Sequence, residues 1–210
     1  VEGAKPNTSS VRIVENEGAM IGCSSPHPRR QIGAQYTIAG EIQKKTSNFE
    51  AYDNAHQQSL LEQYLQEEIT HDERIVIENE HFITLVPYWA VWPYELMIVP
   101  KRKMASILEL TESEKAAYAN ILKRTTIKFD NLFNVSFPYS AGIHQAPTDG
   151  KSHDAWHFHM SFYPPLLRSA TVKKFMVGYE MFADPQRDIT AEQAAETLRN
   201  LPDTHFSLLK

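Results

Sequence analysis

The sequence predicts an α+β domain in which helices pack on one face of an antiparallel sheet. Short apolar segments of strand length stand on both sides of one long amphipathic segment, residues 111–133. Strands that are contiguous along the chain favour antiparallel pairing, because parallel neighbours need a crossover connection. With 210 residues, 42% of them hydrophobic, the chain can bury a sizeable core around such a sheet.

The first 40 residues have the composition of strands. Val11–Val14 and Ala19–Cys23 are predicted strands, joined by a turn at Asn16–Gly18. Two prolines then limit ladder pairing, so the next extended segment is predicted at Gln31–Ile38.

A helix is predicted from Glu41 to Ile69, because Leu61, Leu65 and Ile69 recur at helical spacing. Three strands are predicted after it, at Arg74–Asn79, Phe82–Pro87 and Tyr94–Val99.

Capping-box spacing marks two further helices. Thr111 with Glu114 opens the long helix, which is predicted to end near Phe133, and Thr190 with Gln193 opens a closing helix. The segments predicted to be extended between them are Ser136–His144, Ala155–Tyr163 and Val172–Met181.

Charge and cysteine content exclude several classes of protein. A net charge of -5 gives no electrostatic reason to expect nucleic acid or an anionic membrane as partner. Cys23 is the one cysteine, so no internal disulfide is expected and the cytoplasm is the expected compartment. No apolar run reaches the length of a membrane span.

Histidines alternate with apolar residues in one of the predicted strands. His157, His159 and Ser161 share one face of an extended chain, while Phe158 and Met160 share the other. Residues 144–159 hold four of the nine histidines. Two interpretations stay open: these imidazoles bind a metal or phosphate, or they satisfy backbone groups of the sheet.

Six segments resemble the galactose-1-phosphate uridylyltransferase family in one register. They are GCSSPHP (22–28), FPYS (137–140), HQAP (144–147), FYPPLLRSATV (162–172), KFMVGYE (174–180) and DITAEQAA (188–195). The resemblance is to the carboxy-terminal part of that family, whose members consist of two histidine-triad-like halves. It implies a histidine-triad-like antiparallel sheet, with residues 1–40 as the last strands of a first half and residues 41–210 as the second half.

The resemblance also implies an activity and partners. The family transfers a uridylyl group between UDP-glucose and galactose 1-phosphate through a uridylyl-histidine, in a dimer that builds each site from both subunits. The expected partners are therefore a UDP-hexose, a hexose 1-phosphate, and either a second copy of the chain or a full-length homologue.

Carried over position by position, the resemblance assigns two sets of residues. The residues at substrate-contacting positions are Asn16, Gly22, Ser24 and Gln31 for the phosphates, and Lys174, Phe175, Val177, Tyr179, Glu180 and Gln186 for the hexose. The residues at metal positions are His27, His144 and His159.

Departures from the family pattern bear on catalysis. Arg29 stands at the position of the nucleophilic histidine, and a guanidinium holds phosphate but does not attack it. Lys45 stands where the resemblance expects a glutamate ligand, and Ser161 where it expects a histidine. Catalysis is therefore expected to be impaired or lost.

The histidines are also candidates for metal binding. A divalent metal, iron or zinc, is a candidate at His144 and His159, with His157 as the replacement for the third imidazole. Structural zinc at His27 is not expected, because such sites need four ligands.

Two other functions compete with this interpretation. One is a histidine-triad-type nucleotide hydrolase or transferase with His159 as nucleophile, oriented by His157. The other is a noncatalytic nucleotide-sugar-binding partner of an intact homologue.

Overall fold

The structure, a computed structural model, describes residues 7–18, 30–165, 178–184 and 187–209. Within them seven strands form one antiparallel sheet in the order β2-β1-β6-β7-β5-β4-β3. The strands are β1 (Ser10–Glu17), β2 (Arg30–Gln35), β3 (Ile75–Glu78), β4 (Phe82–Leu85), β5 (Leu96–Pro100), β6 (Tyr139–His144) and β7 (His159–Tyr163). The helices are α1 (Gly40–His56), α2 (Leu60–His71), α3 (Glu112–Phe133), α4 (Tyr179–Phe182) and α5 (Ala191–Arg199).

The predicted α+β class is confirmed, and the helices, expected on one face, pack on both faces of the sheet around β4 and β5. Every residue of β4 and β5 is buried, so neither face of these strands is left to solvent. Phe82 packs in the core cluster that contains residues of α3 and α5, whereas Ile83 and Leu85 pack in the cluster that contains residues of α1 and α2. Strands that are apolar on both sides require a helical layer on each side.

The predicted helix Glu41–Ile69 is two helices. Gln57 ends α1 in the left-handed conformation, with φ of 55°, and its backbone N–H donates to Asp53 O. The chain then turns and α2 begins after Ser59. Apolar periodicity runs through both helices and does not reveal a single left-handed residue between them.

Other predicted boundaries also shift. The turn predicted at Asn16–Gly18 is wrong for its first residues, because Asn16 pairs with Ser140 and β1 continues to Glu17. The predicted strand Ala19–Cys23 lies outside the described residues. The strand predicted at Val172–Met181 is described only from residue 178, where the chain enters α4 instead.

The first strands belong to the same sheet as the rest of the chain. β1 pairs with β2 on one side and with β6 on the other. The boundary predicted at residue 40 falls between β2 and α1 and stays a prediction. No helix in the described part of the chain combines the length and apolar character that a bilayer span requires.

Both predicted capping boxes are present. Thr111 Oγ1 accepts from the Glu114 backbone N–H, and Glu114 Oε2 accepts from the Thr111 N–H at 2.8 Å. Arg102 Nε donates to Glu114 at 2.9 Å, and this bond, with those from Thr111, lowers the pKa of Glu114 to about 2. The α5 box joins Thr190 to Gln193 in the same way.

Thr111→Ala is expected to lower the free energy of unfolding by about 1 kcal/mol, because the first turn of α3 loses its cap. Thr126→Ala in the same helix is the matched control, since that hydroxyl donates to the carbonyl of Lys123 within the helix. The control should stay within about 0.5 kcal/mol of wild type. Urea denaturation measures both, and equal losses would contradict the capping role.

Candidate functional site

The candidate site is built on the pairing of β6 with β7. His144 lies directly opposite His159 in the antiparallel ladder, and cross-strand partners project to the same face. The two imidazoles stack with ring centroids 4.8 Å apart and an interplanar angle of 12°. The sheet therefore brings together two of the four histidines predicted to bind metal.

Helix α1 supplies a cation to this pair. The Lys45 Nζ lies 2.7 Å from Nε2 of His159. On the other side of the ring, Nδ1 of His159 lies 2.9 Å from the carbonyl oxygen of His157. Because a carbonyl only accepts, Nδ1 carries the hydrogen, and Nε2 of the neutral ring accepts from the ammonium of Lys45.

Burial sets the protonation of this cluster. Burial lowers the pKa of Lys45 to about 8, against the attraction of Glu41 and Glu95. Burial, and secondly Lys45, lower the pKa of His144 to about 3. The same causes hold the pKa of His159 well below its usual range. At neutral pH the imidazoles are therefore neutral beside one ammonium.

His157 does not join the pair, although strand alternation predicted that it would. Its Nε2 donates to Pro100 O at 2.9 Å, and burial lowers its pKa to about 4. The ladder of β7 begins only at His159, so alternation does not extend back two residues. The segment before it is held differently, with the Phe158 N–H donating to Met104 O.

Ser161 stands where the family resemblance expected a third imidazole. It follows His159 by two residues in β7, so both side chains share one face. It is 5% exposed, and its cross-strand partners are Gly142 and Met97. A hydroxyl at this position is too short to replace an imidazole ring.

Glu95 is a buried carboxyl that sequence reasoning did not select. It directly precedes β5 and is 6% exposed. Burial raises its pKa to about 7, while backbone N–H groups at Trp92 and Val91 and the charge of Lys45 oppose the rise. The available signal was an acidic residue in an otherwise apolar aromatic segment, which is typical of a functional or paired carboxyl.

A cavity of about 430 Å³ opens beside His144, between β1, β6 and α1. Its polar lining is made of Arg12, Asn16, Glu41, Ser140, His144 and Tyr163. Ser140 Oγ donates to Asn16 Oδ1 at 2.7 Å, which orients one of the predicted phosphate-contacting side chains. The volume falls in the range of small-ligand pockets.

Gln31 lies on the same face as the histidines. It pairs with Val14, Val14 pairs with Gly142, and Gly142 pairs with Ser161. Gln31 is exposed on β2, three strands from Ser161, which at the usual strand spacing is ~14 Å. The register thus places Asn16, Gln31, His144 and His159 on one face, referred to here as the histidine face.

The remaining predicted site residues are only partly described. Tyr179 and Glu180 open α4, Tyr179 is half exposed, and neither lines the cavity beside His144. The predicted site residues outside the described part of the chain are Gly22, Ser24, His27, Arg29, Lys174, Phe175, Val177 and Gln186.

Comparison with solved structures defines the class of the domain. A uridylyltransferase structure superposes on 94% of this chain and 62% of its own length, with a TM-score of 0.86 and 27% identity. An ADP-glucose phosphorylase from Arabidopsis thaliana superposes on 95% of this chain and 62% of its own, with a TM-score of 0.81 at 19% identity, and so shares the fold alone. The fold is that of uridylyltransferase-type α+β domains.

The chain belongs to the galactose-1-phosphate uridylyltransferase family, as its motifs predicted. The family description "Galactose-1-phosphate uridyl transferase, C-terminal domain" matches residues 45–210. The galactose-1-phosphate uridylyltransferase of Haemophilus influenzae is 50% identical over 196 residues, which are 93% of this chain and 56% of that protein. The one from Rattus norvegicus is 48% identical over 201 residues, covering 94% of this chain and 53% of its own. The chain thus spans about half the length of these relatives.

Glu95→Gln is expected to remove a pH dependence of stability. Folded Glu95 holds its proton more tightly than the unfolded chain does, so its contribution to stability is complete below about pH 4.5 and is lost as the pH rises through about 7. Wild type should therefore lose on the order of 3 kcal/mol relative to the variant across this interval.

Urea denaturation of both proteins between about pH 5 and pH 8 measures this difference. Glu41→Gln removes an exposed carboxylate that also attracts Lys45, and serves as the control. A difference between wild type and Glu95→Gln that stays constant over the interval would contradict the burial of an ionisable Glu95.

Proposed function

We propose that this chain binds a UDP-hexose or a hexose 1-phosphate on its histidine face without forming a uridylyl-histidine at residue 29. Arg29 carries the proposal, because it stands at the family's nucleophile position in the sequence. A guanidinium has five donors and no lone pair to attack phosphorus, so it holds an anion and does not turn it over.

The described part of the histidine face supports the binding half of this proposal. Asn16 and Ser140 line the cavity beside His144, and Gln31 lies on the same face. Amide and hydroxyl groups of this kind donate to phosphate oxygens and sugar hydroxyls. The hexose would be held by the family positions Lys174, Phe175, Val177, Tyr179, Glu180 and Gln186.

The proposal includes a partner chain. β2 is an edge strand of the described sheet, and all of its residues are exposed. Such an edge presents unpaired backbone groups that another chain can pair with. A second copy of this chain or a full-length homologue would pair one of its own strands with β2. We expect this assembly to work in the cytoplasm.

The alternative in which His159 is a nucleophile is not favoured by the geometry. Nε2 accepts from Lys45 and Nδ1 donates to the His157 carbonyl, so both ring nitrogens are engaged. The residue is 2% exposed. A nucleophile needs a free lone pair within reach of the substrate.

Binding of UDP-glucose, measured by isothermal titration calorimetry, tests the first half of the proposal. Arg29→Ala is expected to weaken it roughly ten-fold or more, because a hydrogen bond to a charged group contributes about 1.5–3 kcal/mol. Arg124→Ala is the matched control, since Arg124 lies on α3, on the other side of the sheet from the histidine face, and pairs with Asp203. Equal affinities of the two variants for UDP-glucose would show that Arg29 does not contribute to ligand binding.

Turnover is tested separately by incubating the protein with UDP-glucose and galactose 1-phosphate. We expect no uridylyl adduct by intact-protein mass spectrometry and no exchange of the sugars above background. Exchange or nucleotide hydrolysis that His159→Ala abolishes would contradict this and would establish the nucleophilic role of His159.

A further inference from the structure

The ring of His159 is held so that one lone pair faces a cation. Nδ1 donates to the His157 carbonyl at 2.9 Å, which fixes the hydrogen on that nitrogen. Nε2 then presents its lone pair toward α1, where Lys45 Nζ lies 2.7 Å away. This distance is at the short end for a hydrogen bond and is typical of one that involves a charged donor.

Lys45 is placed by packing and does not swing freely at the surface. Ile42 and Phe49 lie three and four residues from it on α1 and are both buried. Phe49 meets Trp156 edge to face at 5.2 Å, and Trp156 Nε1 donates to Thr46 Oγ1 at 2.9 Å. These contacts dock the helix on the sheet and fix the lysine stem above His159.

The described residues do not fit a divalent metal ion at this point. No group of three or more histidine, cysteine or acidic side chains in the described ranges is arranged to hold one. The family resemblance expects a glutamate at Lys45 and a histidine at Ser161, so two of the expected ligands are replaced and only His144 and His159 are kept. An ammonium next to the remaining lone pair repels a second cation.

The charges of the two arrangements are equal. A glutamate with a divalent ion carries a net charge of +1, which is also the charge of one lysine ammonium. Glu41 and Glu95 attract Lys45 in this structure, as they would attract a metal ion in its place. The lysine therefore replaces both the acidic ligand and the ion without changing the charge beside the imidazoles.

We infer that the Lys45 ammonium takes the place of a divalent metal ion at His159, so that the two stacked imidazoles form a site organised by a protein cation and independent of metal. Lys45 is a positioning residue in this arrangement: it holds the ring of His159 and joins α1 to β7. The inference concerns metal binding alone and does not depend on which ligand the histidine face binds.

Zinc binding to the chelator-treated protein tests the inference, with Zn²⁺ alone as the probe in isothermal titration calorimetry. Wild type and His159→Ala are expected to bind Zn²⁺ indistinguishably in the micromolar range. One equivalent bound by wild type and lost in His159→Ala would overturn the inference, whatever the behaviour of the other variants.

Two designed variants distinguish the effect of Lys45 on Zn²⁺ binding from the effect of the missing imidazole at position 161. The double variant Lys45→Glu, Ser161→His restores the expected ligand set and should gain one equivalent of Zn²⁺, bound at least 100-fold more tightly than by wild type. Ser161→His alone keeps Lys45 and is expected to remain near wild type. Tight binding by Ser161→His alone would overturn the inference, as would a folded double variant that gains none.

Discussion

The pairing of β6 with β7 is the constraint on which the rest of the histidine face depends. It sets His144 opposite His159, and it sends the next pair of the ladder, Ile143 and Met160, to the other face and into the core that α3 covers. A slip of one residue would place His159 among apolar side chains and Met160 and Phe162 beside the cavity. The register that buries Phe162 also fixes the positions of the imidazoles. Core packing and the geometry of the site therefore depend on the same strand pairing.

Helix α1, in the second helical layer, adds a positive charge to the site on β6 and β7. α1 lies on the face opposite to α3, and its buried residues Ile42 and Phe49 bring Lys45 to His159. Because the ammonium and the loss of water both disfavour imidazolium, the rings stay neutral. The described part of this face therefore combines the Lys45 ammonium, the Arg12 guanidinium, polar side chains and a cavity. These features support the proposal that the face binds an anionic sugar phosphate.

Local sequence rules predicted some features and missed others for identifiable reasons. The caps at Thr111 and Thr190 were predictable because a capping box is a contact between residues three apart. The break at Gln57 was not, since one left-handed residue leaves helical periodicity intact. The structure brings together His144 and His159, which the family motifs singled out. The alternation rule misplaced His157 because the ladder begins two residues later. Glu95 gains its altered pKa from burial by elements distant in sequence, which no local pattern reports.

The contact between Lys45 and His159 is tested most directly by the position of the hydrogen on the His159 ring. Nitrogen-15 NMR of the histidine side chains at neutral pH, without added metal, distinguishes the forms of the ring. The geometry predicts a neutral His159 with hydrogen on Nδ1 and a hydrogen-bonded Nε2 whose signal shifts to that of a free acceptor in Lys45→Met. A His159 with hydrogen on Nε2, or one doubly protonated, would contradict the account.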